Sequence, residues 1–272
     1  MPGLTQTLGV LLSQSKKATY EGRLSEEIEA TSQLVKALPE VGYFSLSFNY
    51  NFKNWTPFYW EGYQQTTSYT YVLHDISDIE RVIGAFDHSK RKNLRKASGI
   101  VEVKEDMSAS EFYAHHQMTL GKLGQQVHYT REFFSGLVDA SVAHNAGKTF
   151  FAIDKQGHVH AAVFIVYDRN SAYYLVSSLD PEFRASGALT LLIMRAIEFS
   201  SQHAARFDFE GSMMPGVEGS FRRFGGELMP YSRIWKDRRS RAERFLVSLW
   251  LSLDSLYPRR GAPLASAPRG EA

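Results

Sequence analysis

Residues 207–228 read FDFEGSMMPGVEGSFRRFGGEL, and this stretch says more about the fold than any other part of the 272-residue chain. Its composition predicts a short strand over Arg206–Phe209, followed by a loop. A short helix is predicted over Val217–Phe224, where two glycines end it. A final strand is expected over Leu228–Trp235, so this stretch supplies the last strands of the predicted sheet.

The composition is that of a globular protein, with 43% hydrophobic and 13% aromatic residues. The chain has no cysteine, which excludes disulfides and thiolate metal sites and fits a reducing compartment. The N-terminus does not resemble a signal peptide, and no window reaches the roughly 18 apolar residues of a spanning helix. We therefore expect a cytoplasmic protein. Because the net charge is only +2, any binding of anions must come from local clusters of basic residues, and no DNA binding is expected.

The elements before residue 207 alternate between helices and strands. Capping-box motifs at Ser77–Glu80 and Ser108–Glu111 predict two helix starts. Three β-rich runs over 149–178, separated by turn residues, predict an antiparallel meander, and a helix over Leu189–His203 follows it. The sequence therefore predicts an α/β (α+β) fold with a mixed sheet. We divide the chain into an N-terminal lobe at 1–98, a domain at 99–236, an amphipathic helix at 237–257 and a disordered tail at 258–272.

This order of elements, with the basic run KRKNLRKA at 90–97 and the stretch 207–228, resembles the GNAT acyltransferase superfamily. Within it, the chain is similar to the branch of the FemAB peptidyltransferases and the BioF2-like acetyltransferase domain. The aromatic loop at 55–63 is similar to the segment that precedes the basic helix in that branch. The resemblance implies a GNAT-like fold with an abridged N-terminal half-lobe.

The resemblance also implies an N-acyltransferase that moves an acyl group, acetyl in first place, from acyl-CoA to an amine of an amino sugar, amino acid or envelope precursor. Two alternatives stay open. One is a FemAB-like transfer from aminoacyl-tRNA to a peptidoglycan precursor, although the chain shows no long charged arm for tRNA. The other is a non-catalytic binding module on the same fold.

The resemblance places the acyl-CoA site at the turn that opens the predicted helix at Leu189. GNAT proteins bind the pyrophosphate of coenzyme A at such a turn, because free backbone amides converge there. The turn reads RASGAL at 184–189, and the candidate cofactor-binding residues are Arg184, Ser186, Gly187 and Ala188. An ordinary helix N-terminus has a similar sequence, so the structural alternative stays open.

Acyl transfer to an amine needs a group that accepts the proton of the amine. Alternation along the strand at 206–209 predicts that Asp208 and Glu210 share one face, where each acid raises the pKa of the other. Anchoring the following loop, or pairing with the arginines after it, is an equal alternative. His160 is a third candidate base. Tyr173 or Tyr174 could donate a proton to the leaving thiolate, and a packing role is the simpler alternative for each. No histidines and acids have metal-ligand spacing, so no metal is predicted.

Basic residues form two clusters that could bind an anionic or nucleotide-linked acceptor, or tRNA. Solvated charged faces explain the same clusters more simply. The predicted helix over 238–257 has an apolar face beside arginines, which suits peripheral contact with a membrane or packing on the sheet. The candidate substrate-binding residues are Lys90, Arg91, Arg95, Arg222, Arg223 and Trp60.

Overall fold

The computed structural model describes residues 4–105, 107–211 and 213–256. The helices in these ranges are α1 (Tyr20–Ala37), α2 (Thr56–Trp60), α3 (Ile79–Ala85), α4 (His88–Ala97), α5 (Ala109–Lys122), α6 (Arg131–Ala143), α7 (Ala188–Ser200), α8 (Pro215–Phe221) and α9 (Arg241–Leu256). The strands are β1 (Tyr43–Ser47), β2 (Gln64–Leu73), β3 (Val101–Lys104), β4 (Gly147–Asp154), β5 (Val159–Tyr167), β6 (Ser171–Leu179), β7 (Arg206–Asp208) and β8 (Glu227–Asp237).

The chain forms two compact units. The first unit takes its described residues from Met1–Thr70 and Met229–Arg259, and the second takes them from Tyr71–Leu228. The domain boundaries drawn from the sequence stay a prediction, and the tail predicted at 258–272 lies outside the described residues.

The first unit pairs β1 with β8 in antiparallel register and packs an aromatic core beside them. The rings of Phe48 and Phe58 in this core are fully buried, with centroids 5.1 Å apart. The segment predicted as an aromatic loop is not all loop, because Thr56–Trp60 forms the short helix α2. Pro57 explains the difference, since its fixed φ angle suits the first turn of a helix.

The second unit contains a mixed sheet. Strands β3, β4, β5 and β6 are antiparallel neighbours, so the predicted meander over β4, β5 and β6 is confirmed. Strand β7 pairs in parallel with β6 and antiparallel with the last residues of β2. The predicted mixed α/β fold is therefore confirmed.

Helices cover both faces of this sheet. Neighbouring residues in β4 point to opposite faces, so Phe150 packs against Phe199 of α7, while Phe151 packs against Phe112 of α5. Helix α6 joins α5 on the second face through Phe134. Full burial of a Phe side chain contributes about 1.5–3 kcal/mol, so such contacts fix both layers.

The two predicted helix starts have different outcomes. At α5 the capping box of Ser108 and Glu111 is present as predicted. At α3 the predicted Ser77 cap is wrong: the N-cap is Asp78, which accepts a hydrogen bond from the Arg81 amide at 3.0 Å. The reason is a competing turn, since both the amide and the hydroxyl of Ser77 donate to the Asp75 carboxylate.

None of the helices within the described ranges combines the length and the apolar character needed to cross a membrane.

Candidate active site

The parallel strands β6 and β7 diverge soon after they pair. Their register covers three positions, from Ser171 opposite Arg206 to Tyr173 opposite Asp208. Strand β6 continues to Leu179, whereas β7 ends at Asp208. A register shift in the pairing of β5 with β6, between Phe164 and Ile165, bends β6 at the same level. The carboxyl end of β6 therefore has an open edge, which begins where β7 stops.

A cavity of about 310 Å³ lies beside this open edge. Residues from α4, β6, α7, α8 and the 3₁₀ segment Pro181–Ser186 line it. This volume is at the lower end of small-molecule sites, which span about 300–1,000 Å³. The cavity can therefore enclose the reacting end of a ligand. Its polar lining consists of Lys90, Asn93, Tyr174, Ser177, Arg184, Thr190 and Ser220.

The N-terminus of α7 opens onto the cavity. The N-cap is Gly187, which has a φ of 82° and no side chain to bind the first amides of the helix. A Cβ at Gly187 would lie 2.6 Å from the carbonyl oxygen of Asn93, so α4 packs directly against the turn. The Ser186 hydroxyl accepts a hydrogen bond from the Ala188 amide at 3.2 Å. The next two amides have no partner within the first turn of a helix, which makes this end suitable for an anion.

Lys90 brings a buried positive charge to the cavity, since only 8% of the residue is exposed. Its Nζ donates to the Ser220 hydroxyl at 2.8 Å and lies 4.2 Å from the centre of the Phe224 ring. Burial, assisted by the nearby Arg223 charge, lowers the pKa of Lys90 from 10.5 to about 8. A buried ammonium group attracts a negatively charged ligand strongly, because the surrounding protein screens it less than water does.

Asp208 is the last residue of β7 and Glu210 follows it by two residues; neither is among the residues that line the cavity. The Glu210 amide donates to Asp208 Oδ1 at 2.8 Å. Burial raises the pKa of Glu210 to about 8, and the Asp208 charge adds to this effect. The predicted strand alternation is wrong, because β7 ends at Asp208 and Glu210 has a φ of 55°. A turn brings the two acids together instead.

Tyr174 lines the cavity and is buried. Burial raises the pKa of Tyr174 well above its usual range, while a hydrogen bond with the Ser177 side chain lowers it somewhat. The ring packs edge to face on Phe221, with centroids 5.6 Å apart. The hydroxyl therefore stays protonated at neutral pH and can donate a hydrogen bond.

Of the predicted cofactor-binding residues, Arg184 and Gly187 line the cavity. Ser186 shapes the turn through its bond to the Ala188 amide, and Ala188 is fully buried in the core. Sequence reasoning missed Asn93, Ser177, Thr190 and Ser220. Ser220 lies inside the stretch 207–228, and Asn93 interrupts the basic run at 90–96. Both residues could therefore have been identified from their neighbours in the sequence.

Several other candidates are not among the residues that line the cavity. His160 Nε2 lies 3.1 Å from Asp154 Oδ2, and its ring stacks on Phe183 with centroids 3.9 Å apart. Arg91 donates to two backbone carbonyls at the end of α3. Trp60 belongs to the first unit, where 61% of it is exposed.

The remaining predicted basic residues are exposed. Arg222 faces the Glu218 carboxylate across 3.8 Å, an exposed pair that contributes little to stability. The Arg223 carbonyl accepts a hydrogen bond from the Asp87 amide at 2.8 Å, which joins the 3₁₀ segment after α8 to the start of α4. Arg95 is exposed on α4. None of these three residues is among those that line the cavity.

Comparison with known proteins matches residues 87–221 to the family model described as acetyltransferase (GNAT) domain. No curated protein sequence matches the chain. Among solved structures, the chain is similar to FemX, with 10% identity, coverage of 84% of this chain and 79% of that one, and a TM-score of 0.60. It is also similar to L-PGS from Bacillus licheniformis, with 10% identity, coverage of 84% and 76%, and a TM-score of 0.52. At these identities the likeness shows a shared fold.

Proposed function

Because residues 87–221 of this chain belong to the GNAT acetyltransferase family, as its sequence predicted, we propose that this acyltransferase moves an acyl group, acetyl in first place, from acyl-CoA to an amine. The amine is part of an amino sugar, an amino acid or an envelope precursor. The observation that supports this proposal most directly is the polar cavity where β6 and β7 diverge. The family match favours an enzyme over a non-catalytic binding module.

The residues around this cavity suit an acyl-CoA donor, which supplies a thioester carbonyl to the reaction. Phosphates fit the N-terminus of α7, where the absence of a Cβ at Gly187 brings α4 and the turn together. Lys90 and Arg184 supply positive charge on the same lining. The cavity volume suits the acyl-bearing end of the donor, and the nucleotide then lies outside it.

The pKa values of two groups suit the proton transfers of the reaction. Glu210, with a pKa of about 8, accepts the proton of the attacking amine, because a base is most effective when its pKa is near the working pH. Tyr174 stays protonated and donates to the leaving sulfur. Lys90 stabilises the negative charge that develops on the acyl oxygen.

A thermal shift experiment with acetyl-CoA tests the donor. At a concentration 100 times the Kd, a ligand adds about 2.7 kcal/mol of stability, which corresponds to a rise in Tm of roughly 5–10 °C for a protein of this size. Lys90→Met is expected to reduce the shift. Lys92→Met changes an exposed residue of the same helix and serves as the matched control. The absence of any shift at millimolar acetyl-CoA contradicts the acyl-CoA proposal.

A transfer from aminoacyl-tRNA to a peptidoglycan precursor is the second candidate function. The exposed side chains of Lys92 and Arg95 favour it, since both are available to phosphates. The test is retention of aminoacyl-tRNA at increasing salt, compared with the double variant Lys92→Glu and Arg95→Glu. Salt-dependent retention that the double variant abolishes, together with no acetyl-CoA shift, replaces the first candidate with this one.

A cytoplasmic location with peripheral membrane contact through α9 completes the proposal. The side chains of Phe245, Leu246 and Leu249 are 66%, 61% and 46% exposed, and Arg241 and Arg244 belong to the same helix. Such a surface suits anionic lipid. Sedimentation with vesicles that contain phosphatidylglycerol tests it, and equal binding by Phe245→Ser contradicts a role for this face.

A further inference from the structure

A pair of stacked rings connects the sheet to the segment that leads into the cavity. The rings of His160 and Phe183 are nearly parallel, with an interplanar angle of 6° and centroids 3.9 Å apart. His160 lies near the start of β5, and Phe183 belongs to the 3₁₀ segment Pro181–Ser186. Rings at this separation are in van der Waals contact, because carbon atoms attract most strongly at about 3.5–4.0 Å. The pair therefore fixes the distance between the segment and the sheet.

Asp154, at the end of β4, holds the His160 ring in place. His160 Nε2 lies 3.1 Å from Asp154 Oδ2. Burial opposes ionisation of this carboxyl group, but hydrogen bonds from His158, His160 and Gln156 lower its pKa to about 2. An ionised carboxylate only accepts hydrogen bonds, so Nε2 carries the hydrogen and donates it. The hairpin between β4 and β5 therefore sets the orientation of the ring.

Packing alone does not explain a histidine at this position. Nδ1 of His160 is buried and has no hydrogen-bond partner among the described residues, which lowers stability. A phenylalanine would avoid this loss. Two phenyl rings, however, prefer offset or edge-to-face contacts to a face-to-face stack. A histidine that donates to Asp154 from its edge supplies both the flat stack and a fixed orientation.

The Phe183 ring supports the middle of the 3₁₀ segment, and other contacts hold its two ends. At the start of the segment, the Asp180 amide donates to the His160 carbonyl at 3.0 Å. At the other end, Lys96 Nζ donates to the Ala185 carbonyl at 2.6 Å. The ring stack is therefore the contact that holds the backbone between these two ends against β5.

Arg184, the residue after Phe183, depends on this support. It lines the cavity, yet its side chain makes no ion pair or hydrogen bond within the described part of the chain. The backbone on either side therefore sets its position, with Phe183 before it and the Gly187 N-cap of α7 after it. Four residues separate Phe183 from Gly187, or about 8 Å at the 3₁₀ rise of about 2 Å per residue. A displaced Phe183 ring is thus close enough to move the turn.

We propose that His160 is a positioning residue, which acts through the Phe183 ring to hold the turn at 184–187 in the arrangement that binds the phosphates of the donor. His160 itself touches neither substrate, because it is buried and is not among the residues that line the cavity. This role rests on the proposed acyl-CoA site and adds the contact that keeps its phosphate end in shape. It differs from the role of base that the sequence suggested for His160.

Binding of acetyl-CoA to the full chain, measured by titration calorimetry, tests the proposal. Phe183→Leu keeps an apolar side chain but removes the ring, so the Kd should rise about 3- to 10-fold. Phe183→Tyr keeps the ring and should bind as wild type does. His160→Leu should weaken binding as Phe183→Leu does, and the double variant should bind no more weakly, because all three lack the same contact. Additive losses, or wild-type affinity in Phe183→Leu, overturn the proposal.

A donor analogue without phosphates separates positioning from a general loss of structure. S-Acetylpantetheine carries the same thioester, and Phe183→Leu should bind it at millimolar concentration as well as wild type does. An equal loss for both ligands contradicts the proposal. His158→Gln is the matched control, since His158 also bonds to Asp154, but 59% of its side chain is exposed and its ring centroid lies 5.6 Å from that of Phe183. Its Kd for acetyl-CoA should change by less than about twofold.

Inorganic pyrophosphate distinguishes failure of this role from failure of the proposed function. If wild-type protein does not bind acetyl-CoA, the proposed function is wrong, and the NMR signal of the Gly187 amide then decides whether the positioning role holds. Pyrophosphate should shift that signal saturably, with a Kd about 3- to 10-fold higher in Phe183→Leu than in wild type. No shift, or the same Kd in both proteins, overturns the positioning role.

Discussion

Replacing Lys90 with Met should make the protein more stable while weakening its binding of the donor. The lysine side chain is buried, and its Nζ contacts the Ser220 hydroxyl and the Phe224 ring. Methionine keeps the length and the apolar stem of the side chain but removes the charge. The experiment therefore separates the cost of burying this ammonium group from its use in the site.

The magnitude follows from the pKa of Lys90, which falls from 10.5 to about 8 on folding. Because one pKa unit corresponds to about 1.36 kcal/mol, burial costs about 3 kcal/mol when the group is charged. The variant loses the hydrogen bond to Ser220, worth about 1 kcal/mol, and the contact with the Phe224 ring, worth a similar amount. At neutral pH the variant should therefore be about 1 kcal/mol more stable than wild type.

The sign of this difference depends on pH. The unfolded chain holds the Lys90 proton up to pH 10.5, whereas the folded protein releases it above about pH 8. Wild-type protein therefore gains stability relative to the variant as pH rises from 8 toward 10.5. Urea unfolding of both proteins at about pH 7 and 9.5 measures this. If Lys90→Met is less stable at pH 7 by an amount that does not change with pH, the reasoning is refuted. Lys92→Met, which is exposed, should change by less than about 0.5 kcal/mol.

Three further substitutions test the turn and the two acid–base groups. Gly187→Ala should lower the free energy of unfolding in urea by well over 2 kcal/mol, because its Cβ would lie 2.6 Å from a backbone carbonyl oxygen. Gly157→Ala is the control: its φ is equally positive but its Cβ would meet open space, so it should cost only about 1–2 kcal/mol. Equal losses in the two variants would show that packing at Gly187 is unimportant. In wild-type protein, kcat/KM should rise with pH around a midpoint near pH 8, since only the ionised Glu210 carboxylate accepts a proton. Glu210→Gln should remove this rise. A variant with the same pH profile as wild type would show that another group is the base. Tyr174→Phe should lower kcat at least tenfold with a loss of stability near 1 kcal/mol; full activity in this variant rules out the tyrosine as the proton donor.

Sequence patterns predicted the parts of the fold that local rules control. The meander over β4, β5 and β6 follows from short β-rich runs with turn residues between them, and the capping box at Ser108 follows from a motif four residues long. The cap at Ser77 has the same motif, but Asp75 just before it offers the serine a competing turn. A motif of four residues does not include that neighbour.

The site was harder to predict because it depends on where two strands separate. Lys90, Tyr174, Arg184 and Gly187 were identified, since a charge, a hydroxyl and a small residue carry recognisable chemistry. The pairing of β6 with β7 covers only three positions, and the sequence of neither strand indicates where that pairing stops. Reactive side chains could therefore be identified from the sequence, whereas the register between strands far apart in the chain determines which of these side chains line the same cavity.

Glu210 shows how local pattern and function can conflict, and it gives a last prediction. A non-glycine residue with a φ of 55° is strained by about 1–2 kcal/mol, and burial of its carboxyl group adds a further cost that grows as pH rises above 4.5 and is complete above about 8. At about pH 4, where the carboxyl group is protonated in both states, Glu210→Gly should therefore stabilise the protein by about 0.5–1 kcal/mol, after the greater entropy of glycine in the unfolded chain is deducted; the gain should be larger at neutral pH, and the variant should lack acyl transfer. Asn145→Gly is the matched control, because Asn145 has a φ of 52° but is exposed and far in sequence from the proposed site. If Glu210→Gly destabilises the protein while Asn145→Gly does not, the Glu210 side chain contributes to packing and the strain is not kept for catalysis.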